Sequence, residues 1–243
     1  AMKFAIEAHR RRKPFCMGSL YWQMDDCWPV ASWSSMDYYG RWKAIQYYAK
    51  RSMKDILVSI DGTKEGVVDI HVVSDVLRPI DGTLRAALYD FDGGKLKEFS
   101  VPAQVDANAA AVVWSASTAE LLDGADPRRT VLKADLVEGG RVLDSQLHYF
   151  VPAKDIRLSK ANVTIREVPG SNGTAFTLET DTLAKQVALF AEAEGIFTDN
   201  WFDLIPGIPV TVGFLGRGAG GRAFAPARPG RVTVRSFADW IDP

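Results

Sequence analysis

In residues 1–13 the apolar positions recur at a helical period. Met2, Ala5, Ile6 and His9 share one face at i, i+3, i+4 and i+7. Residues 10–13 are basic, as suits a helix C-terminus, and Pro14 stops the helix. Residues 15–23, FCMGSLYWQ, are mostly apolar without alternation, which predicts a strand buried on both faces, as in a parallel sheet. Residues 24–39 read as an aromatic and polar loop. A second amphipathic helix spans 40–52, with Trp42, Ile45 and Ala49 facing inward. Helix, strand, long loop, helix is the repeating wedge of an α/β barrel or a doubly wound sheet. One wedge cannot close a barrel and its strand would have bare edges, so this reading expects more chain before residue 1. Without neighbours, the strand should pack on the adjoining domain, associate with another copy or stay poorly ordered.

Beyond Ser52 the pattern changes to short apolar runs punctuated by Gly, Pro and Asp. Strands are predicted at 56–60, 67–73, 84–91, 96–101, 111–117, 130–137 and 142–151. Turn signals such as Asp81-Gly82, Asp92-Gly93-Gly94 and Glu138-Gly139-Gly140 fall between them. Seven short strands in roughly a hundred residues is the pattern of an immunoglobulin-like sandwich. Pro152 and Ala153 mark a boundary. A second set lies at 162–168, 175–180, 186–193, 201–204, 209–214 and 231–236, a smaller sandwich of the same style. Its 216–230 stretch, rich in Gly, Pro, Ala and Arg, reads as a mobile loop. The expected architecture is mainly β, with two immunoglobulin-like β-sandwiches (53–153 and 154–243) preceded by a helix–strand–helix remnant of a (β/α)8 barrel (1–52).

Composition sharpens this division. The 243 residues are 47% hydrophobic and 24% charged with a net charge of −1, the balance of a globular protein with two small domains or one large one. That excludes a disordered tail, and near-neutrality removes the basic footprint of a nucleic-acid binder. No apolar run approaches the roughly 20 residues that span a bilayer. The basic residues come after a weakly apolar stretch rather than before a long one, which excludes a secretion signal within this stretch; for the whole protein a bacterial periplasmic or cytoplasmic setting is expected. Residues 1–50 hold both cysteines, four of the seven Trp and five of the seven Tyr, and carry eight basic against four acidic residues. Cys16 and Cys27 read as reduced structural thiols.

The densest chemistry lies in YWQMDDCWPVASWSSMDYYGRW, residues 21–42. Residues just after a barrel strand lie on the catalytic face. Trp22 is placed there to stack on the apolar face of a sugar ring, with Gln23, Asp25 and Asp26 hydrogen-bonding sugar hydroxyls. The plainer alternative is that the aromatics pack a barrel rim. A catalytic pair of Asp25 and Asp26 is disfavoured. Glycoside hydrolysis needs carboxyls facing each other about 5–5.5 Å apart in retaining enzymes, and adjacent residues point different ways. Rim hydrogen-bonding or loop capping suits them better. Glu7 lies in a helix and receives no catalytic role. His9, His71 and His148 have no partner at ligand spacing, so no metal site is expected. Asn162-Val163-Thr164 and Asn172-Gly173-Thr174 match glycosylation sequons.

The stretch CMGSLYWQMDDCWPVASWSSMDYYGRWKAIQYYAKR, residues 16–51, closely resembles the final strand, loop and helix of the catalytic barrel in glycoside hydrolase family 2 β-mannosidases. GIFTDNWFDLIPG, residues 195–207, resembles the closing strand region of that family's C-terminal immunoglobulin-like domain. The resemblance implies retaining, exo-acting removal of β-linked mannose by two glutamates, without metal or cofactor. Both glutamates would precede residue 1, so no catalytic residue is expected in this chain. The family's sugar-lining aromatic maps onto Trp22. Asp25 stands where the family often has Asn, and Met24 where Leu is common. The implied partners are a β-mannoside and the upstream catalytic domains of the same protein, with no nucleic acid and no membrane. Exo-β-glucosaminidases and β-galactosidases share the architecture, but the WQ-x-D-D-C-W-P run favours the mannosidase branch. The rival from another class is a non-catalytic module whose sandwiches bind a glycan or a partner.

Overall fold

The computed structural model describes residues 1–170, 173–217 and 224–241. The chain divides into two compact units. The first holds Ala1–Tyr21, Ala49–Asp90 and Gly94–Arg157, and the second holds Trp22–Tyr48, Phe91–Gly93 and Leu158–Pro243.

In the first unit, β1 (Ile56–Asp61), β2 (Val67–Ser74) and β5 (Ala110–Ser117) form an antiparallel sheet in the order β1-β2-β5. The strands β3 (Ile80–Asp90), β4 (Lys95–Val105), β6 (Thr130–Glu138) and β7 (Arg141–Tyr149) form a second, in the order β4-β3-β6-β7. Alternation decides which side chains meet between them. Ile70 and Val72 of β2, Leu84, Ala86 and Leu88 of β3 and Leu132, Ala134 and Leu136 of β6 are buried in one cluster. Stacked sheets with an apolar interior are a sandwich. The hairpin between β6 and β7 has a two-residue loop, Gly139-Gly140, with φ of +57° and +78°. Two positive-φ positions match the right-handed strand twist, and glycine adopts them without steric cost. A short helix, Thr118–Leu122, comes after β5. Ser117 and Glu120 close a capping box at its start, a signal present in the sequence as S-x-x-E.

The second unit repeats the plan with shorter strands. One sheet runs β11 (Gly195–Phe197), β13 (Val210–Arg217), β9 (Gly173–Thr180) and β8 (Val163–Gly170), with β14 (Phe224–Pro226) also paired to β13. The other runs β12 (Phe202–Leu204), β10 (Ala184–Ala191) and β15 (Val232–Arg235). Phe176, Leu178, Val187, Leu189, Val212 and Phe214 are buried in the core. In the DNWFD stretch, the Asn200 side chain accepts from Leu189 N (2.8 Å) and donates to Leu189 O (3.0 Å), taking a strand's place in the ladder. Asp203 accepts from Gln186 N (2.6 Å), where β10 bulges with φ of +50° at Gln186. The predicted 216–230 loop contains the end of β13 and all of β14; residues 218–223 lie outside the described residues, as does Asn172 of the second sequon.

The opening segment departs from expectation in two ways. The first helix, α1 (Met2–Arg10), forms, but its packed face is rotated. Ile6, Glu7 and Arg10 are buried, while Ala5 and His9 are exposed. The physical reason is the surface it meets, which is polar. Arg10 donates to Ser52 O (2.7 Å) and Asp75 (3.0 Å), and Arg11 to Ser59 Oγ (2.8 Å) and Asp61 (3.0 Å). Lys13 reaches Ser74 O (2.9 Å), Asn108 (2.8 Å) and Asp75. The basic run expected to serve the helix terminus thus ties α1 to the first sandwich.

The strand predicted over 15–23 does not form, and these residues are irregular. Phe15 is 90% exposed and Leu20 fully so. A strand exists only where neighbours complete its backbone hydrogen bonds, and no ladder lies beside this one among the described residues. The second helix, α2, spans Ala44–Ser52, starting later than predicted.

Candidate functional site

Residues 22–43 fold as a loop held by hydrogen bonds rather than by an apolar core. Backbone bonds from Ser35 N to Gln23 O (3.0 Å), Met36 N to Met24 O (2.8 Å) and Lys43 N to Ser35 O (3.0 Å) bring its limbs together. Asp26 is buried at its centre, 5% exposed. One carboxylate oxygen accepts from Ser32 Oγ (2.5 Å), and the other from Ser34 Oγ (2.8 Å) and Lys43 Nζ (3.3 Å). The Ser32 hydrogen bond, with those of Ser34 and Lys43, holds the Asp26 carboxyl below the usual aspartate range, against the opposing effect of burial. Asp26 is therefore an ionised staple of the loop.

The four predicted site residues separate by environment. Trp22 is 77% exposed and free to present its indole face. Gln23 is half-buried, and its side-chain amide donates to Asp25 O (2.9 Å) and toward Asp26 (3.5 Å). Asp25 is exposed, and its backbone bridges to Met36. Asp26 faces inward and is occupied by the loop itself. Sequence reading missed the residues that complete the staple: Ser32, Ser34 and Lys43. The density of serine between two aspartates was the available signal, since hydroxyls near a carboxylate favour local side-chain caps.

The far end of the loop is a tight turn. Asp37 accepts from Arg41 N (2.9 Å) and Arg41 Nε (2.6 Å), and Gly40 takes φ of +73°. The Arg217 guanidinium lies over Gly40 so closely that a Cβ there would sit 1.9 Å from Nη2. Trp42 is edge-on to Tyr47 (5.3 Å between ring centres) and to Phe224 (6.5 Å). Trp28, Trp33, Tyr38 and Tyr39 remain more than half exposed. The loop thus offers several aromatic faces and one exposed carboxylate on a hydrogen-bonded frame, an arrangement suited to a hydroxyl-rich ligand with apolar ring faces.

Two buried carboxyls lie elsewhere, in the first unit. Glu7 accepts from Ser59 Oγ (3.0 Å) and Gln146 Nε2 (3.1 Å), and burial pushes its carboxyl above the ordinary value. Asp144 accepts from Val58 N (2.8 Å) and Lys54 Nζ (2.7 Å), and burial raises it as well. Each is engaged by the sandwich.

Two stacked-sheet units in tandem define a protein built on immunoglobulin-fold modules. Residues 66–155 match the family described as the mannosidase Ig/CBM-like domain, and residues 158–240 match a mannosidase family described as an Ig-fold domain. Each of the two modules is thus similar to an immunoglobulin-like domain family described from mannosidases. It is 29% identical over 217 residues to β-mannosidase A of Aspergillus clavatus, covering 82% of this chain and 23% of that protein. It is 31% identical over 203 residues to the β-mannosidase of Mus musculus, covering 79% of this chain and 23% of that protein. A crystal structure of a β-D-mannosidase from Dictyoglomus thermophilum superposes with a TM-score of 0.79 at 26% identity, over 97% of this chain and 28% of that one. The chain therefore spans about a quarter of the length of these relatives.

Proposed function

We propose that this chain acts within a longer protein as the C-terminal portion of a retaining exo-β-mannosidase, which removes terminal β-D-mannose from the non-reducing end of mannosides. On this reading residues 1–52 complete the catalytic barrel, and residues 53–153 and 154–243 are sandwiches that buttress it. Trp22 presents its indole to the sugar, Gln23 and Asp25 meet hydroxyls at the loop surface, and Asp26 fixes the loop from beneath. The observation that carries the reading is the state of Trp22. It is an exposed indole, 77% accessible, on a loop whose shape is set by a buried ionised aspartate. Such a side chain stabilises nothing locally, while the residue next to it, Gln23, is held by hydrogen bonds from Ser35 N and to Asp25 O, which anchors the backbone a ring platform needs.

The chain alone is expected to be inactive on an aryl β-mannoside, because the proposed nucleophile and general acid lie outside it. Their loss removes several orders of magnitude of rate. The experiment is a hydrolysis assay on the purified 243-residue chain. Turnover above background, abolished by a substitution within residues 1–243, would overturn the proposal. A second assay uses the longer protein carrying Trp22→Ala, for which a fall in kcat/KM of about tenfold or more is expected.

A further inference from the structure

The first unit carries a surface feature that the loop and the docked helix leave unexplained. On β3, Leu84, Ala86 and Leu88 enter the core, so alternation puts Arg85, Ala87 and Tyr89 on the opposite face. Strand register sets Ser100 and Asp135 on either side of Arg85, and Glu98 and Lys133 on either side of Ala87. Ala87 is the smallest side chain of this patch. The taller ones around it leave an open groove of about 360 Å³, within the size range of small-ligand sites.

The charges lining the groove are unequally matched. Lys133 pairs with Asp135, and Lys95 pairs with Glu98 at 2.6 Å. Those contacts neutralise two cations and two carboxylates. Arg85, exposed between them, has no acidic or hydrogen-bonding partner among the described residues. Opposite it the exposed Ser100 offers a hydroxyl, and farther along the same strand face, past Ala87, the half-buried Tyr89 lines the groove with a flat ring and a phenolic hydroxyl. A guanidinium fork fits a planar carboxylate with two parallel hydrogen bonds. An aromatic face fits the C–H face of a sugar. The two neutralised ion pairs can still give and accept hydrogen bonds with sugar hydroxyls.

We propose that this groove binds a glycan through a carboxylate-bearing sugar residue, a uronate, with the carboxylate on Arg85 and the ring against Tyr89. A neutral sugar would leave the guanidinium without a counter-charge, and a small carboxylate would leave the Tyr89 face and the groove empty. The proposal is independent of the mannosidase reading, since it uses only the face of one sheet. An open site of this kind binds at about the millimolar level.

The test is titration of the purified chain, by NMR or calorimetry, with a uronate trisaccharide, its carboxyl-reduced neutral counterpart and acetate. The expected order is uronate trisaccharide tightest, with the reduced sugar and acetate each at least about tenfold weaker. Arg85→Ala should weaken uronate binding by at least about tenfold, and Arg85→Lys by less, because it keeps the charge without the fork. Because Arg85 is exposed, the thermal midpoint of both variants should be unchanged, which checks that they fold. If a variant fails to fold, the three-ligand comparison on the unaltered chain still decides. Equal binding of the uronate and its reduced form, acetate binding as tightly as the trisaccharide, or full affinity in Arg85→Ala would each overturn the proposal.

Discussion

Residues 2–13 and residues 15–33 are neighbours in sequence with opposite fates. The first segment is charged and packed down, with Ile6, Glu7 and Arg10 buried and Arg11 and Lys13 bonded to the first sandwich. The second is far more apolar, yet Phe15, Leu20, Trp22, Trp28 and Trp33 are largely exposed. Burial here tracks the availability of a partner surface rather than hydrophobicity. The basic run finds the carbonyls of Ser52 and Ser74 and the carboxylates of Asp61 and Asp75 waiting on the sandwich. The apolar run finds no ladder and no cover among the described residues. Clustered exposed apolar side chains of this kind are uncommon on a closed surface.

The sharpest way to break this contrast is to weaken the packed segment. Ile6→Ala removes a side chain only 2% exposed and should cost about 2 to 4 kcal/mol, read as a lower denaturation midpoint for the first unit. A loss under about 0.5 kcal/mol would mean that α1 contributes nothing to the fold it is bonded to. Acid gives the next largest effect. Burial lowers His148 to about 4, so the folded state binds fewer protons than the unfolded state between there and 6.5. Stability contributed by neutral His148 is present above pH 6.5 and is lost as pH falls through that window. At pH 5 the loss is at most about 2 kcal/mol. Glu7 and Asp144 act with the opposite sign. Their raised folded values mean the native state binds extra protons above the ordinary carboxyl range, so their contribution grows as pH falls. Denaturation curves at pH 7 and 5 isolate the His148 part: the change on acidification should be less unfavourable in His148→Phe than in the native chain, by at most about 2 kcal/mol.

Sequence made the sandwiches legible because alternation is a strong signal wherever two sheets share one apolar interior. The seven segments from 56 to 151 correspond to β1 to β7, and the Gly139-Gly140 turn falls where its residues demand. It was less informative where partners lie far away in the chain. Apolar periodicity turns Met2, Ala5, Ile6 and His9 of α1 inward, but the surface α1 meets, with Ser59, Asp75 and Gln146, is polar and lies far away in the chain. The strand over 15–23 failed for the same reason, since an apolar run records a potential for burial and not the surface that would fulfil it. At the candidate site, the residue types of Trp22 and Asp26 were legible, while their different roles depended on which side chain faced Ser32 and Ser34.

The staple itself supplies a more local prediction. Asp26→Ala removes the acceptor shared by Ser32, Ser34 and Lys43. Amide exchange at Ser35, Met36 and Lys43 should accelerate, because these amides close the limbs of the loop. The exchange of β6 and β3 amides should not change. Asp26→Asn keeps an acceptor oxygen and should fall between the two. Uniform exchange rates across all three proteins would show that the loop's backbone bonds hold without the carboxylate.

The smallest expected effect tests the exposed segment directly. Leu20→Ser and Trp22→Ala each remove a large apolar side chain, a change that costs several kcal/mol in a core. Here both side chains are mostly in solvent, Leu20 fully and Trp22 at 77%. The denaturation midpoint of the 243-residue chain should therefore move by less than about 0.5 kcal/mol in either variant. Self-association at high concentration should fall in both, because exposed apolar side chains are what drives it. A loss of more than about 1 kcal/mol in a dilute monomer would mean these side chains are covered within the chain. Burial would then track hydrophobicity after all, and the contrast between the two segments would be gone.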